Sequence, residues 1–180
     1  MLSLDRAAPF ARLGLVLTLA GSLAGCFQPM YATTTTEAGP KLLQRLQDIE
    51  VVKIDGRLGN DFRNDMIFGL TGGAGNPTGA PYQLFVVVKS SSTFAIVDTA
   101  SGLPEAKVIR VAGDWKLVRA GDDAKKPVAS GQATAAASID VSQERFANYS
   151  AAQDAERRAA GTLAEMIKAQ LAAYFVKNPG

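Results

Sequence analysis

The 180-residue chain carries 19 Lys and Arg against 17 Asp and Glu, a formal charge of +2, with no histidine and one cysteine. So small a surplus gives no footing for nucleic acid or a strongly acidic partner. The missing histidine excludes His-based metal sites and the usual nucleophile and base pairs of an enzyme, and a lone thiol excludes an intramolecular disulfide.

The chain opens with Arg6 and Arg12, an apolar run from Leu13 to Ala20, and small residues up to Gly25. That order is a secretory signal, and its apolar part is well short of the ~20 residues a membrane-crossing helix needs. Leu23-Ala24-Gly25-Cys26 resembles the lipobox of bacterial lipoprotein precursors, with the only cysteine last. Such processing needs a thiol there, because diacylglycerol is attached through the sulfur before the bond after Gly25 is cut. The resemblance implies diacylglycerol and an N-acyl chain on Cys26, with no other cofactor. Two or three chains make a durable anchor where one holds only marginally. Phe27 stands where an inner-membrane retention signal would show Asp, which implies the outer membrane, on its periplasmic face. The expected layout is a signal peptide over 1–25, a lipidated N-terminus and tether over 26–45, and one domain over 46–180. The mature part is long enough for one core and carries a charge of about +1.

After the polar run Thr33-Thr34-Thr35-Thr36, read as linker, Ile49 to Ile54 is β-branched and ends at Asp55-Gly56, a strand with a turn behind it. Phe62, Met66 and Leu70 are spaced for a helix capped at Asn60 or Asp61 and stopped by Gly72-Gly73. A Gly- and Pro-rich connecting loop follows, without the Lys-Ser or Lys-Thr of a phosphate loop. Tyr82 to Lys89 and Thr93 to Val97 then read as one long strand. Lys107 to Val111 and Trp115 to Arg119 flank Gly113-Asp114, either a bulge within one strand, the preferred reading, or a tight turn between two. Beyond the polar loop at Gly121 to Pro127, Val128 to Val141 is a strand with Ala129, Gly131, Ala133, Ala135 and Ala137 on one face. The other face carries Ser130, Gln132, Thr134, Ala136 and Ser138. Residues this small suit a strand only when something presses closely on them, either the C-terminal helix or a partner protein. Ala133, Thr134 and Ala135 are therefore candidate partner-contacting residues.

The last element is a long helix, with Ser150 and Gln153 in capping-box form. Ala152, Ala155, Ala159, Leu163, Met166, Ile167, Leu171 and Tyr174 make its apolar stripe. Asp154 with Arg158 and Glu165 with Lys168 sit at ion-pair spacing. The expected fold is an α/β (α+β) sandwich, two helices on a four-stranded mixed sheet in a single domain.

Candidate chemistry is sparse. Asp122-Asp123 and Asp61 with Asp65 are the nearest to paired acids, and they sit where turn and cap residues sit. An enzyme would need a polar cleft with convergent carboxylates or a Ser-Lys pair, so none is expected. Arg110, Lys116 and Arg119, with Lys125 and Lys126 on the neighbouring loop, could bind the phosphates of a glycolipid or simply solubilise a sheet edge.

In this order of elements, and at two motifs, the chain resembles the LPS-assembly lipoprotein family LptE. The motifs are Cys26-Phe27-Gln28-Pro29-Met30-Tyr31, close to a Cys-Gly-Phe-x-Pro-Leu-Tyr start, and the helix start from Tyr149 to Ala160. The glycine after the cysteine is missing here. The resemblance implies two helices on a four-stranded sheet, and a partner, the outer-membrane barrel LptD, in which the domain sits as a plug. It also implies support of lipopolysaccharide (LPS) insertion, with possible contact to LPS itself. The alternative is a lipoprotein that binds a small apolar ligand, or an envelope chaperone, marked by a cavity between helix and sheet. The mature protein is expected to begin at acylated Cys26. Mass spectrometry of the membrane-extracted chain checks this, and an unmodified cysteine would overturn it.

Overall fold

The computed structural model describes residues 38–97, 104–122 and 126–178. Cys26, the signal segment and Lys125 lie outside them, as does the tether up to residue 37. The described chain runs α1 (Ala38–Gln47), β1 (Ile49–Val51), α2 (Arg57–Thr71), β2 (Tyr82–Val97), β3 (Pro104–Arg119), β4 (Ala129–Asp140) and α3 (Arg145–Lys177). The strands form one sheet in the order β1-β2-β3-β4. The first pair is parallel and the other two are antiparallel. This is an α+β fold, with three helices where two were expected.

The third helix is α1, in a stretch read as tether up to residue 45. Its apolar signal is short but sufficient: Leu46 is buried and Leu42, four residues earlier, packs against the core. The Arg45 guanidinium lies 5.7 Å from the Phe175 ring centre and donates to the Asn178 carbonyl at 2.7 Å. The end of α1 is thus tied to the end of α3.

α2 starts at Arg57, not at the expected Asn60 or Asp61. Gly56 takes φ 87°, a conformation that favours glycine, and turns the chain into the helix. A Cβ on Gly59 would come within 2.6 Å of Ile54 Cγ2. The expected stop is present: Gly72 is left-handed at φ 66°, and its N–H reaches the Phe68 carbonyl.

The strand alternation settles which face is core. Leu84 and Val86 of β2, Ile109, Val111, Trp115 and Leu117 of β3, and Ala133 and Ala135 of β4 are buried. α3 lies over β3 and β4, and α2 packs beside it with contacts to β1 and β2. β3 is continuous through Gly113-Asp114, which pair in register with Val88 and Val87. Neither the bulge nor the turn exists there, and the register shifts fall instead at Phe94 to Val97. Gly113 serves the helix: a Cβ on it would stand 3.1 Å from Leu163 and 3.3 Å from Ile167. Gly131 plays the same part for Trp115, whose indole would be 2.9 Å from an added Cβ. The indole N–H donates to Gln170 Oε1 at 2.6 Å, and Gln170 Nε2 donates to the Gln132 carbonyl at 3.1 Å.

α3 begins five residues before Ser150. Its start is held by Asn148, whose side chain accepts from Ser142 N–H at 2.9 Å and donates to the Ser142 carbonyl at 2.7 Å. The expected stripe is buried at Ala155, Ala159, Leu163, Ile167 and Leu171, with Ala160, Ala164, Ala172 and Phe175 added, while Met166 faces out. The Asp154–Arg158 and Glu165–Lys168 pairs form at 2.9 and 3.4 Å. Leu163→Ala or Ile167→Ala is expected to cost about 2–5 kcal/mol, and Arg157→Ala, on the exposed side, under about 1 kcal/mol. Urea unfolding of the three variants checks this, and equal losses would contradict the assigned face.

Candidate functional site

With three helices on one side, no described element covers the other face of the sheet, and the alternation of each strand dictates what it presents. β2 sends Phe85, Val87 and Lys89 outward, and β3 sends Arg110, Asp114 and Lys116. Register places Phe85 opposite Lys116, Val87 opposite Asp114, and Ser91 opposite Arg110. On the other side of β3, Lys116 faces Ser130, Asp114 faces Gln132, and Ala112 faces Thr134. The result is a shallow trough of about 820 Å³ with Phe85 and Val87 at its centre. Lys53, Lys89 and Lys116 line it with a single acid, Asp114. Val87 is 57% exposed, a large apolar group held in water by its strand position.

The sequence-predicted residues divide across this geometry. Lys116 lines the trough, and Arg110 lies further along the same face, donating to Thr93 Oγ1 at 3.3 Å. Arg119 is exposed at the end of β3, on the alternation shared with Trp115 and away from the trough. Lys126 is exposed on the loop before β4 and does not line the trough. Ala133 and Ala135, read as partner-contacting, are core residues at 7% and 5% exposure. Their small size answers to α3, whose Leu163 and Ile167 lie on the same stretch of sheet, so these side chains face the helix and not the open face. Thr134 is on the open face and exposed. Lys53, Phe85, Val87 and Lys89 were missed. For the three on β2 the signal was the alternation of Tyr82 to Lys89, in which the outward set also carries the apolar pair Phe85 and Val87; Lys53, after β1, had no such signal.

Asp61 and Asp65 lie on α2 beside its seam with α3. Asp61 accepts from Arg57 at 3.3 Å, and Arg57 also pairs with Glu156 of α3. Asp65 lies against α3, with Oδ2 3.6 Å from where a Cβ on Gly161 would stand. Partial burial there raises its pKa above the ordinary 3.8; the Asp61 charge adds to the rise and Arg157 opposes it. Among the described residues, no cluster of three or more His, Cys, Asp or Glu is placed to hold a metal, and no helix is long and apolar enough to cross a membrane.

Three helices beside a mixed four-stranded sheet define an α+β domain among the described residues. Solved structures of similar fold include lipoproteins. A protein of Caulobacter crescentus CB15 described as a lipoprotein is 27% identical, with a TM-score of 0.59, over 76% of this chain and 97% of that one. Rare lipoprotein B from Shewanella oneidensis shares the fold at 9% identity and a TM-score of 0.54, over 73% and 97% of the two chains. No protein-family model matches, and no curated protein is significantly similar in sequence.

A carboxyl whose pKa is raised by folding holds its proton more tightly in the folded chain. Its stabilising contribution is therefore present at low pH and lost as pH rises through the folded pKa. Asp65→Asn is expected to raise the midpoint of unfolding slightly at pH 7 and to flatten the gain that this group gives on acidification toward the carboxylate range. Denaturant melts of both proteins at pH 7 and just below the ordinary 3.8 check it; an unchanged pH dependence in the variant would contradict the assignment.

Proposed function

We propose that the protein is a lipid-anchored lipoprotein of the outer membrane, facing the periplasm, that works by contact rather than catalysis. Its open sheet face supports the LptD barrel as a plug during LPS insertion, and the same face meets LPS. The observation that carries the reading is the trough. An apolar centre of Phe85 and Val87 is lined by Lys53, Lys89 and Lys116 on a face that no described helix covers. Phosphates are bound by lysine through charge-assisted hydrogen bonds, and an exposed apolar centre marks a contact surface. LPS offers both phosphate and acyl chains. The likeness to lipoproteins in fold and the lipobox at Cys26 support the anchor.

The alternative, a carrier of a small apolar ligand, is best served by a cavity between helix and sheet. Over the middle of the sheet that interface is closely packed, with Gly113 and Gly131 stripped of side chain so that Leu163, Ile167 and Trp115 can close on them, and the hollow at the β4–α3 border is only about 460 Å³. The larger volume is on the outer face, which favours a contact role.

A tagged full chain extracted in mild detergent is expected to co-purify with the barrel and with LPS. The double variant Lys89→Glu with Lys116→Glu should weaken both associations with little change in unfolding midpoint, because both groups are exposed. Ala133→Leu should instead destabilise the free domain by about 1–3 kcal/mol through overpacking. Absence of any barrel from the wild-type pull-down, by mass spectrometry, would sink the plug reading.

A further inference from the structure

The two outer edges of the sheet are finished differently. At the β1 edge, the Asn76 side chain behaves as one more residue of strand. Its Oδ1 accepts from Val51 N–H at 2.9 Å and its Nδ2 donates to the Val51 carbonyl at 3.2 Å. Arg63 Nε donates to the same carbonyl at 3.2 Å. That edge is closed. β4, at the opposite end of the sheet, runs 12 residues with no proline and no charged side chain before Asp140. Long, uncharged, regular edges are what proteins normally blunt with Lys, Pro or a bulge.

The hydrogen-bond phase of β4 identifies the groups on offer. Val141 N–H donates to the Glu105 carbonyl at 2.8 Å, and the β3–β4 register is unbroken from Ala106↔Asp140 to Leu117↔Ala129. Odd-numbered residues of β4 therefore bond to β3, and the even-numbered ones, Ser130 to Ser138, point N–H and C=O away from the sheet. Gln170 reaches one of these groups, the Gln132 carbonyl, whose second lone pair remains on that side.

We propose that β4 pairs antiparallel with β4 of a second copy of this chain, joining two four-stranded sheets into one of eight strands. The strand is self-complementary about Thr134. A two-fold axis there sets Thr134 against Thr134 of the second copy, Ser130 against Ser138, and Gln132 against Ala136. Hydroxyl thus meets hydroxyl on the open face, and small meets small on the other. No like charges face each other, because Asp140 falls opposite Val128. The pairing supplies about ten backbone hydrogen bonds. The helix layer agrees: α3 flanks this edge through Thr162 beside Ala136 to Ser138 and Gln170 at Gln132. Met166, 40% exposed between them on that side of the helix, would meet Met166 of the second copy. This inference does not depend on the barrel reading, since the edge belongs to the free chain.

The full chain, purified free of other proteins in mild detergent, is expected to sediment as a dimer that dissociates on dilution. Thr134 pairs with itself at the Cα separation of about 5.5 Å found in hydrogen-bonded pairs, within disulfide range. Thr134→Cys should therefore give a covalent dimer on oxidation, whereas Gln132→Cys, offset from its own copy, and the wild-type chain with Cys26 should not. Thr134→Lys, a charge on the axis at an exposed position, should weaken association about tenfold or more, leaving the unfolding midpoint unchanged at a dilution where the wild-type chain is monomeric. Ala136→Pro, which removes an outward N–H without touching the β3 ladder, should do the same. A wild-type chain that sediments as a monomer at micromolar concentration would overturn the proposal. So would cross-linking of Thr134→Cys no stronger than wild type, or a dimer that survives both Thr134→Lys and Ala136→Pro.

Discussion

The fold depends on how closely α3 can approach the sheet. Leu163 and Ile167 stand over Gly113, within reach of where its Cβ would be, and the Trp115 indole lies as close over Gly131. Ala133 and Ala135 keep the neighbouring strand equally thin. A helix carrying mainly Ala, Leu and Ile on its buried face can then settle onto the strands without leaving a void, and close packing of this kind is what dispersion and burial reward. Gln170 fixes the register of the contact, because its amide joins the Trp115 N–H on one side to the Gln132 carbonyl on the other. Once α3 is seated, α2 has a flank to pack against, and the Arg57 link to Glu156 falls along that seam.

What the residues revealed in advance follows from this dependence. Alternation located the strands and the stripe located α3, since both patterns arise from burial. Helix starts were less legible. The Ser150–Gln153 pattern looked like a cap, but α3 continues back to Arg145 past Phe146 and Tyr149, both exposed, where no apolar stripe marks the path. Gly113 and the small face of β4 were visible as oddities. Their causes, Leu163 and Ile167 arriving on Gly113 from α3 and Trp115 arriving on Gly131 from β3, are tertiary and leave no local trace. The same holds for the trough: lysines at positions 53, 89 and 116 become neighbours only through the register of three strands.

The arrangement separates two duties that many domains combine. Stability resides on the covered face, where the buried groups are almost all apolar and the polar exceptions are hydrogen-bonded, such as Thr71 to the Ile67 carbonyl at 2.8 Å. The proposed contacts fall on the open face, where substitutions leave the core intact. Charge there can therefore be altered without loss of the fold, a freedom that a site buried between helix and sheet would not have.

Trp115 stands on the boundary between the two. It is the only tryptophan in the chain, is nearly buried, and borders the trough while its N–H is engaged by α3. Its fluorescence is therefore a native optical gauge of the molecule: lifting of the helix would admit water to the indole and redden its emission, whereas a molecule settling over the trough would alter quenching with the helix still in place. One side chain thus lets unfolding and occupancy be told apart by light, with no label attached.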